Sequence, residues 1–288
     1  MKRKQRVLFL FLLCLFSITF LGACQEDGGD MGKEKLAMDY YSPSIYVYNL
    51  IEEKEVLSIH ADERRAQASL TKIMTVYLAL EHLEDLSMIA PVDYETRALL
   101  YEQDASMAGF YAHETTSYRD LLYGAILPSG GECAASLAVN LSGNIQTFVD
   151  EMNRKAEELG LENTRYETVT GMDRQGQYST ARDTAKLLSY ALQDGDFRVI
   201  FTSPFYQSSP SVDHPEGIGM ESTIFQKLAH YDYSSFVILG GKSGTTDQAG
   251  YCWATLAEKE EKEYLVVVMG SSKEDGQVED TIAILSDL

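Results

Sequence analysis

Apolar residues recur along this chain with a period of two in some stretches and of three to four in others, and the two patterns occupy separate regions. Ile45–Leu50 (IYVYNL) and Val56–Ile59 (VLSI) are β-like runs separated by the charged stretch EEKE, a pattern that predicts a hairpin. From Leu70 the spacing turns helical: Leu70, Ile73, Met74, Tyr77, Leu78 and Leu80 predict a helix running to about Leu83. Further helices are predicted over Tyr118–Ile126, Glu132–Leu141, Ile145–Leu159 and Ala181–Leu192. In Ile145–Leu159 the residues Phe148, Met152, Ala156 and Leu159 share one face, and Gly160 supplies the stop. After Pro210 the character changes. Phe236–Leu239, Tyr251–Leu256 and Tyr264–Met269 read as strands, and Val278–Leu288 as a closing helix. Strands at both ends with helices between them predict an α+β fold, one sheet completed by the two termini and carrying an inserted helical lobe. No repeat and no internal linker interrupts residues 40–288, so one two-lobed unit is expected there.

Before Tyr40 the pattern is different. Lys2, Arg3, Lys4 and Arg6 precede the apolar run Val7–Leu21, then Gly22 and Ala23, which is the layout of an export signal over residues 1–23. Leu21-Gly22-Ala23-Cys24 resembles the bacterial lipobox, whose Cys is lipidated as the signal is cut, and Cys24 is the expected lipidation site. An uncleaved membrane helix over Val7–Cys24 is the competing reading, near the lower length limit for spanning. Residues 24–39 are polar and Gly-rich and read as a tether. The expected address is the extracytoplasmic face of a bacterial membrane, held by an N-terminal lipid.

Composition narrows the function. The 288 residues carry 24 Lys and Arg against 44 Asp and Glu, a net charge of −20, and loss of the signal would take it to −24. Such a chain is unsuited to a phosphate backbone, and nucleic acid is excluded as a partner. Of four Cys, only Cys133 and Cys252 fall in the folded part. They are free to pair, but buried thiols are the simpler expectation. No C-x-x-C, H-E-x-x-H or H-x-x-x-H occurs, so neither a metal nor another cofactor is expected. His60, His82, His113, His214 and His230 read as surface or core residues, and Glu261-Lys262-Glu263 as a solvated turn.

Three short motifs carry candidate chemistry. Ser69-Leu70-Thr71-Lys72 opens the strongest helix, and residues three apart share a face, so the Lys72 amine can reach Ser69 Oγ. A serine hydroxyl needs a nearby base to become a nucleophile. A lysine serves once burial and a second cation lower its pKa, and Lys242 is the expected second cation. Alone, S-x-x-K occurs roughly once in any chain of this size, and Ser69 could be an ordinary helix cap. Ser129-Gly130-Gly131 follows Pro128 just before a helix, where a capping turn also suffices. Lys242-Ser243-Gly244 lies between two β-like runs. Its cation and hydroxyl suit a substrate carboxylate, and Gly244 lets a ligand backbone approach a strand edge. A Gly-rich turn with an exposed lysine is the plain alternative.

The order of the three motifs outweighs each one. Ser69 precedes Ser129 by 60 residues and Lys242 by 173, parallel to S-x-x-K, S-x-N and K-T-G. The chain resembles the low-molecular-mass penicillin-binding proteins, the serine D-alanyl-D-alanine carboxypeptidases. Ala68–Glu81, Asp120–Ala138, Phe148–Thr164, Thr170–Asp183 and Gly240–Ala254 are similar to that family's blocks, and the likeness runs from about Ile45 to Leu288. It implies the serine β-lactamase/penicillin-binding-protein fold, an antiparallel sheet flanked by helices with an inserted helical lobe. It also implies roles. Ser69 would be acylated with Lys72 as base, and Ser129 would relay protons. Lys242 and Ser243 would hold the peptide's terminal carboxylate, beside Gly244, and the N–H groups of Ser69 and Thr245 would form the oxyanion hole. Implied partners are a peptidoglycan stem peptide ending in D-Ala-D-Ala, β-lactams, and the membrane through the lipid.

Two departures stand out. Gly131 occupies the place of the S-x-N amide, so a group that touches Lys72 and substrate is missing unless water or another residue replaces it. K-T-G has become K-S-G, which keeps the hydroxyl and loses a methyl. Many relatives carry a C-terminal β-rich stalk with an amphipathic helix; here the N-terminal lipid is expected to anchor instead. The rival enzyme, a class A β-lactamase, needs a deacylating glutamate, and the nearest match, Glu158-Leu159-Gly160-Leu161-Glu162, lacks the Asn and overlaps a helix end. The non-enzymatic rival is a penicillin-binding protein of the same fold that lost turnover with the amide.

Overall fold

The computed structural model describes residues 40–288, so the predicted signal, the tether and Cys24 lie outside the described residues. Strands β1 (Ser44–Asn49) and β2 (Lys54–Ile59) form the predicted hairpin, and a 3₁₀ turn at Ala68–Leu70 then leads into helix α1 (Thr71–His82). A helical lobe follows, made of β3 (Ile89–Pro91), α2 (Tyr94–Glu102), β4 (Thr115–Ser117), α3 (Tyr118–Ile126), α4 (Gly131–Ser142) and α5 (Ile145–Glu158). Helices α6 (Ala181–Ala191) and α7 (Gly195–Thr202) precede a short strand pair, β5 (Phe205–Gln207) and β6 (Gly219–Glu221), and helix α8 (Thr223–Leu228). The chain closes with β7 (Val237–Thr246), β8 (Gly250–Lys259), β9 (Lys262–Ser271) and α9 (Gly276–Asp287).

The main sheet is five-stranded and antiparallel in the order β2-β1-β9-β8-β7, so the first and last strands of the chain pair, as their distribution predicted. Period-two alternation divides its side chains between two cores. Ile45, Val47, Trp253, Val266 and Val268 face one way and pack with Val278, Ile284 and Leu285 of α9. Tyr46, Ala254, Leu265, Val267 and Met269 face the other and merge with the helical lobe. Helix α1 runs through that second core. Nine of its 12 residues are buried, which is why its sequence is apolar nearly all round rather than striped.

Two expectations change in the structure. Strand β7 does not stop at Leu239 but continues through Thr246, taking Gly240-Gly241-Lys242-Ser243-Gly244 into the sheet. Those glycines mark close approach rather than a turn: a Cβ on Gly240 would sit 2.3 Å from the Phe201 carbonyl. The β8–β9 turn is Glu260-Glu261, both at positive φ, whereas Lys262 and Glu263 belong to β9, where Glu263 pairs with Arg198. Cys133 and Cys252 are both free and buried, as expected.

Candidate active site

Ser69 lies on the 3₁₀ turn and caps nothing; Leu70 is the N-cap of α1 and makes no side-chain cap bond. The turn is held in an uncommon backbone state, with Ala68 at φ +48° immediately before the serine. Lys72, one turn into the helix, points back. Its Nζ donates to Ser69 Oγ at 3.1 Å, to the Thr170 carbonyl at 2.8 Å and to Ser129 Oγ at 3.4 Å. These three acceptors match the three protons of an ammonium group. Ser129 is itself at φ +66°, a second strained residue at the same spot.

Lys72 is 3% exposed, whereas Ser69 remains partly open. Burial lowers the Lys72 pKa from 10.5 to about 8, and the Glu132 carboxylate pulls the other way. The sequence expectation gave part of this lowering to a second cation at Lys242. Burial is the leading cause, and the two amines also repel each other, which disfavours the charged form of both. Lys242 is 0% exposed, and both burial and repulsion from Lys72 hold its own amine well below the ordinary range.

Two backbone segments close around the 3₁₀ turn. On one side, Gly244 of the edge strand β7 packs so tightly that a Cβ would lie 2.9 Å from Ser69 N. Lys242 Nζ donates to the Ser243 carbonyl at 2.8 Å, and Ser243 Oγ lies 2.8 Å from Thr223 Oγ1. On the other side runs 168–174. Thr75 Oγ1 donates to the Val169 carbonyl at 2.7 Å, and Thr246 Oγ1 donates to Asp173 at 2.6 Å, so this segment spans from α1 to the end of β7. Gly171, at φ +89°, touches the turn: a Cβ there would lie 1.8 Å from the Ala68 carbonyl oxygen. A cavity of about 720 Å³ opens between these segments and α2, with Ser69, Lys72 and Thr245 in its wall. Ser129 and Lys242 are buried, and Ser243 is partly exposed.

Gly131 does not leave a hole. A Cβ there would meet Leu100 Cδ1 at 3.2 Å and the Ser106 carbonyl at 3.4 Å, and Gly131 N donates to that carbonyl at 2.7 Å. The 100–106 segment therefore packs directly against Gly131. The adjacent Glu132 is fully buried and braces the same loop, its Oε1 accepting from Ala108 N at 2.7 Å and Gly109 N at 2.8 Å. Burial raises its pKa despite those bonds. Sequence reasoning missed Glu132, Thr170, Gly171 and Thr223. Only Gly171 carried a local signal, a glycine in Thr170-Gly171-Met172 with no helix or strand around it. The β-lactamase candidates lie elsewhere: Glu158 pairs with Lys155, and Glu162 lines a separate depression. The cavity wall does contain Glu167, but Arg165 holds it at 2.7 Å.

Comparison with known proteins gives the family and the fold. A family model for D-alanyl-D-alanine carboxypeptidases matches residues 44–273. The D-alanyl-D-alanine carboxypeptidase DacF of Bacillus subtilis is 27% identical over 93% of this chain and 67% of its own. The carboxypeptidase DacA of Haemophilus influenzae is 29% identical over 81% of this chain, which spans 55% of that protein. The crystal structure of the Streptomyces K15 DD-transpeptidase superposes with a TM-score of 0.77 at 26% identity, covering 86% of this chain and 97% of its own. The expected penicillin-binding-protein-like fold is thus the observed one, and the chain belongs to the D-alanyl-D-alanine carboxypeptidase family of serine peptidases.

Proposed function

We propose that this protein trims the terminal D-Ala from peptidoglycan stem peptides through an acyl-enzyme on Ser69, and that β-lactams acylate the same serine. The observation that carries the reading is Lys72 Nζ, 3.1 Å from Ser69 Oγ and 3.4 Å from Ser129 Oγ, with its pKa lowered to about 8. Neutral Lys72 takes the Ser69 proton as Oγ attacks the carbonyl of the penultimate D-Ala. The N–H groups of Ser69 and Thr245 receive the developing oxyanion, where one donor is worth roughly 3–4 kcal/mol. The proton then passes through Ser129 to the leaving amine, the C–N bond breaks, and D-Ala departs. Water releases the shortened peptide by the reverse proton route. The substrate's terminal carboxylate meets Lys242 and Ser243, and its arrival favours the charged form of Lys242.

The proposal extends to the membrane: Cys24 carries a lipid after removal of residues 1–23, and 40–288 act outside the cell. Among the described residues no helix is long and apolar enough to cross a membrane. Incubation with a synthetic pentapeptide ending in D-Ala-D-Ala, followed by mass detection of free D-Ala, tests the activity. Release of D-Ala by wild type and none by Ser69→Ala is expected. A stable penicillin adduct with no peptide release would instead favour the binding protein without turnover, and rapid penicillin hydrolysis the β-lactamase.

A further inference from the structure

The S-G-G loop and the K-S-G strand are joined by a residue that belongs to neither motif. Thr223 opens α8, and its backbone N–H donates to the Leu127 carbonyl at 3.1 Å, two residues before Ser129. Its Oγ1 lies 2.8 Å from Ser243 Oγ. The neighbours keep it in place: Ser222 and Ile224 are buried on either side, and Ser222 N donates to the Pro204 carbonyl at 2.9 Å. Thr223 and Ser243 are both partly exposed, and among the described residues neither hydroxyl has another hydrogen-bond partner. Two hydroxyls joined by one bond leave one proton uncommitted.

We propose that Thr223 is a positioning residue for the substrate's terminal carboxylate, its hydroxyl donating to Ser243 Oγ so that the Ser243 proton is left to bind that carboxylate. The inference rests on the carboxylate role given above to Lys242 and Ser243. It also accounts for the loss of the motif's threonine. A β-branched threonine at 243 would be stiff at χ1 without help, whereas serine samples its staggered rotamers more freely. The bond to a fixed Thr223 restores one orientation. The K-S-G strand then depends on an outside residue for an ordering that K-T-G contains in itself.

The experiment compares acylation of Ser69 by benzylpenicillin and by its methyl ester, which lacks the free carboxylate, with intact-mass detection. Thr223→Val should slow benzylpenicillin acylation about five- to tenfold, the worth of one net hydrogen bond, and leave the ester within about twofold. Thr223→Ser, which keeps the hydroxyl, should restore the rate, and Ser243→Thr should partly rescue Thr223→Val by supplying the stiffness. In a Ser243→Ala background, Thr223→Val should cost nothing further. Equal slowing of both ligands, no slowing, or no rescue by either threonine or serine would overturn the inference, as would an additive loss in the Ser243→Ala background. A wild type that forms no adduct with benzylpenicillin sinks the proposed function and this inference together. A wild type that reacts while Thr223→Val stays unchanged sinks the inference alone.

Discussion

In the proposed mechanism Lys72 is the base toward Ser69, and its burial sets how much of it is neutral. At pH 7 an amine with a pKa near 8 is neutral in about one molecule in ten, against roughly one in three thousand at 10.5. Because the neutral form takes the Ser69 proton, the acylation rate should rise with pH through about 8, read as the second-order rate constant for a β-lactam. Glu132 pulls the Lys72 pKa upward, so Glu132→Gln should move that rising limb to lower pH while its amide oxygen keeps the two bonds from Ala108 and Gly109. A limb that stays put would mean that Glu132 is already protonated and only braces the loop. Lys242→Gln removes a repelling amine and should move the limb to higher pH while weakening carboxylate ligands; a limb that stays put would assign the lowering to burial alone. Ser69→Ala should abolish the adduct in intact-mass spectra. Ser69 and Lys72 were legible in the sequence because a spacing of three brings them together locally and the order of the three motifs singled that pair out. Glu132, Thr170 and Thr223 were not, because their contacts arise from folding over distances that no local pattern encodes.

Among the elements, the long periodic helices were legible almost to the residue: Tyr118–Ile126 is α3 as predicted, and α5 and α6 each end one residue early. Helix α2 escaped because it buries only Leu100 and so carries no stripe, and the strand pairs β3–β4 and β5–β6 escaped because three residues are too few for a period. The irregular segment 168–174 carried no periodic pattern and only Gly171 as a local signal, although it packs against the 3₁₀ turn. Gly171→Ala tests whether that packing positions the turn. The new methyl must displace the Ala68 carbonyl, 1.8 Å away, and the Ser69 N–H moves with it. A loss of more than tenfold in β-lactam acylation is expected. Gly143→Ala is the control, since Gly143 has a similar φ of +80° at the end of α4 but nothing within 4 Å. It should cost about 1 kcal/mol of backbone strain, a fall of roughly 2–4 °C in Tm, with acylation unchanged. Equal kinetic losses in the two variants would assign the effect to strain alone and remove the positioning role of 168–174.

For the whole molecule, the proposed lipid anchor has to hold a strongly acidic chain at a membrane. Without residues 1–23 the chain would carry −24, a charge that gains nothing from an anionic lipid surface, so retention has to come from apolar contact. Each buried CH₂ of an acyl chain contributes about 0.8 kcal/mol, and two or more chains hold a soluble domain stably. Cys24, directly after Leu21-Gly22-Ala23, is where such chains would attach. In bacterial cells, wild-type protein should remain with the membrane fraction through high-salt washing, because salt releases charge contacts and not buried chains. Its N-terminal peptide should begin at residue 24 and exceed the unmodified mass by the lipid. Cys24→Ala should block that processing, leaving either a precursor that retains residues 1–23 or a product cut elsewhere. If Cys24→Ala instead has the wild-type mass apart from the substitution and the same membrane retention, the apolar run Val7–Leu21 is itself the anchor.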